Sequence, residues 1–355
     1  MCGVSAEIST FAARSRNAAE GVQATDGRRL RAKHNVMGII SFLKKWTLPS
    51  AMLTGVAVYT AFTAVEPLRP AGEVLGPYML RLMPVLIFMI LYLTFVKIRI
   101  DSLRPQAWHF WLQGIRTALS AVMVALVAAA PSVELKIVLE GVFICFICPT
   151  AATAPVVTEK LGGSIESLTV YTLIANMVTA VIIPSFFPLV EKGAGITFGF
   201  AFWMILKRVV TVLLLPLCLA LLTRRYLPRV AEFMKRQSNL AFYIWGVNLS
   251  IVMGMTMHNI LTAQVTGLTL AMLLVLPLGV TLLQFSIGKG VGRFYGQSVS
   301  AGQALGQKNT IVGIWLTVTF LNPTAAVAPS AYVIWQNLVN SWQLWYKGKY
   351  GRLRW

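Results

Sequence analysis

Apolar runs of membrane-crossing length alternate with short polar stretches along most of this chain. Ten segments read from the pattern, at residues 48 to 65, 77 to 97, 107 to 130, 134 to 157, 167 to 190, 200 to 223, 238 to 256, 267 to 288, 299 to 321 and 325 to 345. About 20 apolar residues in a helix span a hydrocarbon layer ~30 Å thick, so each run is a candidate transmembrane helix. The third and fourth runs, and the ninth and tenth, are separated only by very short turns. The pattern predicts an all-α membrane protein of ten transmembrane helices over residues 47–346. A basic tail, 1–46, precedes it, and a second, cytoplasmic one, 347–355, follows.

Two of the runs carry interruptions. The fourth contains Cys148-Pro149-Thr150-Ala151-Ala152-Thr153-Ala154-Pro155. Pro149 and Pro155 each remove a backbone donor and crowd the preceding turn, which predicts a broken helix. Peptide groups freed inside a bilayer need protein or a water-filled cavity to satisfy them, and Thr150 and Thr153 supply hydroxyls at the same spot. The ninth run is interrupted by small and polar residues from Gly302 to Asn309. These breaks lie about 153 residues apart, and the first and sixth runs have nearly the same offset. The chain therefore reads as two five-helix repeats. An odd number of spans per repeat forces opposite orientations, the inverted arrangement in which broken fourth and ninth helices cross near the midplane of a secondary transporter.

Lys308 lies in the second break. A helix entering the bilayer near Val299 places it roughly 14 Å deep, beyond the reach of its stem to the headgroups. A cation at that depth is costly, so it is expected to face water, a partner or a ligand, and it marks a functional site.

Composition supports a polytopic membrane protein: 57% of the residues are apolar and 12% charged, and the mean hydropathy is +0.70. The net charge of +19 would suggest nucleic acid in a soluble protein, but its distribution argues for membrane topology instead. With the N-terminus inside, one face collects Arg28, Arg29, Arg31, Lys33, Lys44, Lys45, Lys97, Arg99, Arg104, Lys160, Arg224, Arg225, Arg229, Lys235, Arg236, Lys289, Arg293, Lys347, Lys349, Arg352 and Arg354. The other holds little beyond Arg69, Arg81, Lys136 and Lys192, a bias that puts both termini in the cytoplasm of a cell inner membrane. Cys2, Cys145, Cys148 and Cys218 show no metal spacing, and His34, His109 and His258 are scattered through a tail, an interface and a loop. No cofactor or metal is expected. The first 36 residues have no apolar core and read as disordered. Met37 opens a natural lead-in to the first span, so these residues are an over-extended start, a basic tail or an organelle transit peptide.

Other polar groups also fall inside spans. Arg116 and Glu140 lie on the third and fourth runs, where a structural ion pair is expected. Asn176, Asn248, Gln336, Asn337 and Asn340 read chiefly as interhelical hydrogen-bonding amides. Lys207 and Arg208 are expected to snorkel at the outer interface.

These residues resemble the bile acid:sodium symporter family. The fourth segment there carries Cys-Pro-Gly-Gly-Thr-Ala-Ser-Asn, and Cys148 to Pro155 is similar. The ninth carries Glu-x-Gly-x-Gln-Asn, where Ala304-Leu305-Gly306-Gln307-Lys308-Asn309 stands here. Trp335-Gln336-Asn337 is similar to a Trp-His-Asn element of the tenth. The resemblance covers most of residues 45–345 and implies a six-helix core beside a four-helix panel.

The departures bear on the coupling ion. Positions that the resemblance assigns to sodium ligands are Ala304, Lys308, Ala154, Pro155 and Leu168, and only Thr172 keeps a hydroxyl. A hard cation needs several oxygen ligands, so sodium coupling is doubtful. The expectation is a secondary transporter of a small organic anion, sodium-independent, in which the Lys308 ammonium stands where a sodium ion would, with proton coupling as an option. Lys308, Asn309, Gln307, Gly306, Thr150, Thr153, Thr172 and Asn337 are the candidate site residues, and Pro149, Pro155 and Gly302 the helix breakers. A lysine that merely caps the carbonyls of the broken fourth helix is the structural alternative. Within transport, an exporter or proton antiporter of a related inverted-repeat fold is the other reading. An intramembrane lipid-modifying enzyme is disfavoured, because the spans hold no paired carboxylates, metal cluster or nucleophile–His pair.

Overall fold

The computed structural model describes residues 46–98, 103–191, 197, 199–200, 203, 207, 211, 214–237 and 239–353. The chain divides into residues 1–47 and 48–355. The basic N-terminal tail up to residue 45, most of the sixth apolar run, and Arg99, Lys192, Arg208 and Arg354 lie outside the described residues.

Among the described residues every regular element is helical. The order is α1 (Thr47–Ala64), a 3-10 turn (Glu66–Leu68), α2 (Arg69–Phe95), α3 (Ala107–Ala128), α4 (Val133–Ile147), α5 (Ala154–Leu161), α6 (Ile165–Val190) and α7 (Leu215–Tyr226). It continues with α8 (Pro228–Arg236), α9 (Leu240–Leu261), α10 (Gly267–Arg293), α11 (Ser298–Gly306), α12 (Thr310–Phe320), a second 3-10 turn (Pro323–Ala326) and α13 (Val327–Tyr350). Among the described residues five helical stretches are long and apolar enough to cross a membrane: Glu66–Phe95, α3, α6, α9 and α10. The chain is an all-α, multi-pass membrane protein.

Local sequence explains the helix ends. Ser132, Ser164 and Thr266 each accept a hydrogen bond from the backbone N–H three residues on, and so cap α4, α6 and α10. Glu134 and Glu166 add negative charge to the first turns of α4 and α6. Gly162, at φ +81°, ends α5 in the left-handed conformation that a side chain would strain.

Several boundaries depart from the hydrophobic pattern. The helix α2 begins at Arg69 rather than near residue 77, with Pro70 in its first turn, and it continues through Pro77 and Pro84. His258 lies within α9 rather than in a loop. His109, in the first turn of α3, is fully buried, with Nε2 3.0 Å from Ser167 Oγ. The last turn of α13 holds Lys347 and Lys349, so the helix continues into the C-terminal basic stretch.

In the largest apolar cluster among the described residues, Phe143, Ile144, Phe187, Leu273, Val312, Leu316 and Ala328 pack together. Close helix approach is built on small residues. A Cβ on Gly288 of α10 would lie 2.4 Å from the Ala301 carbonyl oxygen of α11, so the two helices touch backbone to backbone.

Candidate functional site

The fourth apolar run is broken: α4 stops at Ile147, and α5 starts at Ala154 with Pro155 in its first turn, where the missing N–H costs no helical bond. The ninth run is broken too, but over a shorter stretch than the sequence suggests. The helix α11 extends through Gly302 to Gly306, and only Gln307 to Asn309 separate it from α12. Gly302 is therefore not a helix breaker. A Cβ there would lie 2.6 Å from Lys289 Cγ, so its role is to admit α10.

These breaks meet. Thr150 and Lys308 form an antiparallel bridge, in which Ala151 N donates to Gln307 O at 3.0 Å and Asn309 N donates to Pro149 O at 2.8 Å. Each break thus supplies the backbone partners that the other lacks, which answers the cost of open peptide groups inside a membrane protein. Four helix ends converge here: the C-termini of α4 and α11 and the N-termini of α5 and α12.

Both C-termini are capped, by different chemistry. At α11 the caps are neutral: Thr150 Oγ1 donates to Ala304 O at 2.6 Å and the Tyr332 hydroxyl donates to Gly306 O at 2.8 Å. At α4 they include two basic side chains. Lys308 Nζ donates to Phe146 O at 3.2 Å, while Arg116 Nη1 donates to Ile147 O at 3.1 Å and Cys148 O at 3.3 Å. Arg116 also reaches Thr179 Oγ1 at 2.8 Å and Ala175 O at 3.2 Å on α6. Lys308 and Arg116 are 2% and 1% exposed, and neither forms an ion pair among the described residues.

The expected Arg116–Glu140 pair is not formed. Glu140 lies seven residues before the end of α4, roughly 10 Å along the axis from the carbonyls that hold Arg116. Its Oε1 is 3.7 Å from Lys136 Nζ and its Oε2 accepts from Asn322 N at 3.2 Å.

The other candidates divide between the crossing and its surroundings. Asn309 caps α12 by accepting from Val312 N at 3.4 Å, and the Gln307 side chain bonds that of Gln303. Gly306 has to be small, since a Cβ there would lie 2.4 Å from the Phe285 ring. Thr153 begins α5 without a side-chain cap bond. Thr172 and Asn337 turn back onto their own helices, bonding Leu168 O and Val333 O at 2.8 Å each. In the Trp335-Gln336-Asn337 element it is Gln336 that reaches the crossing: its Oε1 accepts from Lys308 N at 2.8 Å and its Nε2 donates to Lys308 O at 3.4 Å.

Residues that sequence reasoning did not assign to the site are Gln303, Tyr332 and Gln284, which donates to Cys145 O at 3.1 Å. Gln284 is a lone amide in the apolar run Thr281-Leu-Leu-Gln-Phe285, and the same intramembrane rule that singled out Lys308 points to it. Gln113 joins them, buried on α3 with both side-chain ends unpartnered, and so does the unpartnered Arg116 Nε.

No protein-family model matches the chain, and no curated protein matches it.

Proposed function

We propose that this protein is a secondary transporter of a small organic anion, working by alternating access around the crossing of the two broken helices. The observation that carries the reading is the pair of cations on one helix end. A helix C-terminus carries a partial charge of about −0.5, less than a single cation supplies, and an arginine in a protein stays ionised. With no carboxylate paired to Lys308 or Arg116 among the described residues, net positive potential remains at the crossing. The N-termini of α5 and α12 add to it. A buried excess of positive charge suits a carboxylate or sulfonate and repels sodium.

In this reading the chain has ten spans in two inverted repeats, with a core containing the crossing and a panel beside it, and resembles bile acid:sodium symporters in architecture. Lys308 takes the electrostatic place of the coupling ion, so transport runs without sodium. The basic loops put both termini on the cytoplasmic side of a cell inner membrane. The test is uptake of radiolabelled organic acids by proteoliposomes under imposed sodium or proton gradients. Uptake that is unchanged when sodium is replaced, and that is lost in Lys308→Met, supports the proposal; uptake that needs sodium overturns it.

The Phe146 carbonyl bond favours one second reading, in which Lys308 only caps α4. Under that reading Lys308→Met lowers thermal stability but leaves uptake per folded molecule unchanged.

A further inference from the structure

An open pocket of about 590 Å³ lies at one end of the molecule, lined by Gly162, Gly163, Ser164, Arg293, Gln297 and Ser300 among others. From it a row of polar side chains leads to the crossing along two facing helices. On α11, Ser300 and Gln303 fall within about 60° of each other at 3.6 residues per turn, and Gln307 follows at its C-cap. On α13, Gln336, Asn340, Gln343 and Lys347 fall within a similar arc. The rows run antiparallel and face each other. Gln303 Nε2 donates to Gln343 Oε1 at 2.7 Å, Tyr332 reaches Gly306, and Gln336 bonds the Lys308 backbone. Lys347 Nζ donates to Lys160 O at 3.0 Å beside Gly162, at the pocket rim. From Gln336 to Lys347 the helix rises roughly 16 Å, about half a bilayer.

Three polar atoms in this seam have no protein partner: both ends of the Asn340 amide, and Gln343 Nε2. Both residues are 0% exposed. An orphaned amide group buried in an apolar medium costs several kcal/mol, whereas a buried water makes about three hydrogen bonds to such groups. Beyond the crossing the character changes, and Phe143, Ile144, Val312 and Leu316 belong to one buried apolar cluster.

We infer that the seam between α11 and α13 holds a file of ordered water that joins the pocket to the Lys308 crossing. The ligand is water, held by the Asn340 amide and Gln343 Nε2. In this conformation the crossing is hydrated from the pocket end and sealed from the other. The seam does not depend on which solute the crossing carries, and its test needs no transport.

The test is thiol chemistry on the full chain in liposomes, with Cys2, Cys145, Cys148 and Cys218 replaced by alanine. Asn340→Cys and Gln343→Cys are compared with Ala331→Cys, an equally buried position on the opposite face of α13. The probe is a small, water-borne methanethiosulfonate. Because thiols in dry apolar surroundings stay protonated and inert, the two seam variants react on the order of tenfold or more faster than the Ala331 control. Reaction at either seam position at that rate supports the file. Labelling of both as slow as the control overturns it, whatever uptake assays show.

Discussion

At the scale of single residues, the crossing depends on polar groups that satisfy backbone more than on each other. Gln336 serves both the N–H and the carbonyl of Lys308. Gln336→Leu therefore strands the buried Lys308 N–H, at roughly 1–3 kcal/mol, while the Lys308 carbonyl keeps its bond from Thr310 N at 2.9 Å. Asn337→Leu strands only a carbonyl already bonded within its helix, so thermal unfolding in detergent should show a clearly larger loss at 336 than at 337. Arg116 is more demanding. Its guanidinium bonds carbonyls of α4 and α6 and the Thr179 hydroxyl, a set that needs several donors in a fixed plane. Arg116→Lys keeps the charge but cannot reach them all. It is expected to melt nearly as early as Arg116→Gln, and a lysine variant of wild-type stability would show that charge alone matters there.

Helices are the next scale, and here the close approaches set the limits. Gly306→Ala drives a methyl group into the Phe285 ring, and overpacking of this kind costs about 1–3 kcal/mol. Phe285→Leu should recover part of that loss when combined with it, a non-additivity that unfolding of the four-member mutant cycle measures. Much of this level was legible in the sequence. Prolines and threonines at 149–155 and the lysine at 308 announced two breaks, and the structure has both, in contact. What the pattern could not give was their extent. Glycine at 302 looks like a breaker in one dimension, yet it lies in a helix because a neighbour needs the space. Nor could spacing reveal the partner of Arg116, since the order of two helices along the chain says nothing of which turn of one faces the other. Of the polar rows on α11 and α13, Gln307, Gln336 and Asn340 were visible as isolated amides. Only the antiparallel approach of the two helices makes them a single seam.

For the molecule as a whole, the question is whether the two basic side chains at the crossing, Lys308 and Arg116, bind an anionic ligand. A ligand that binds only the folded state stabilises it by about 2.7 kcal/mol at a hundred times its dissociation constant. Organic carboxylates and sulfonates should therefore raise the melting temperature of the purified protein in a saturable way. A cation-coupled site would show that rise only in sodium buffers. A site whose cations are Lys308 and Arg116 shows it equally in sodium and in choline, because those charges are part of the chain. Lys308→Met should remove the ligand-dependent part while leaving a measurable folded baseline, since Arg116 still caps Ile147 and Cys148. Two results would count against the anion site: shifts that grow with sodium, or shifts that survive in Lys308→Met at unchanged ligand concentration. The first would return the coupling to a mobile ion, and the second would move the ligand away from the crossing.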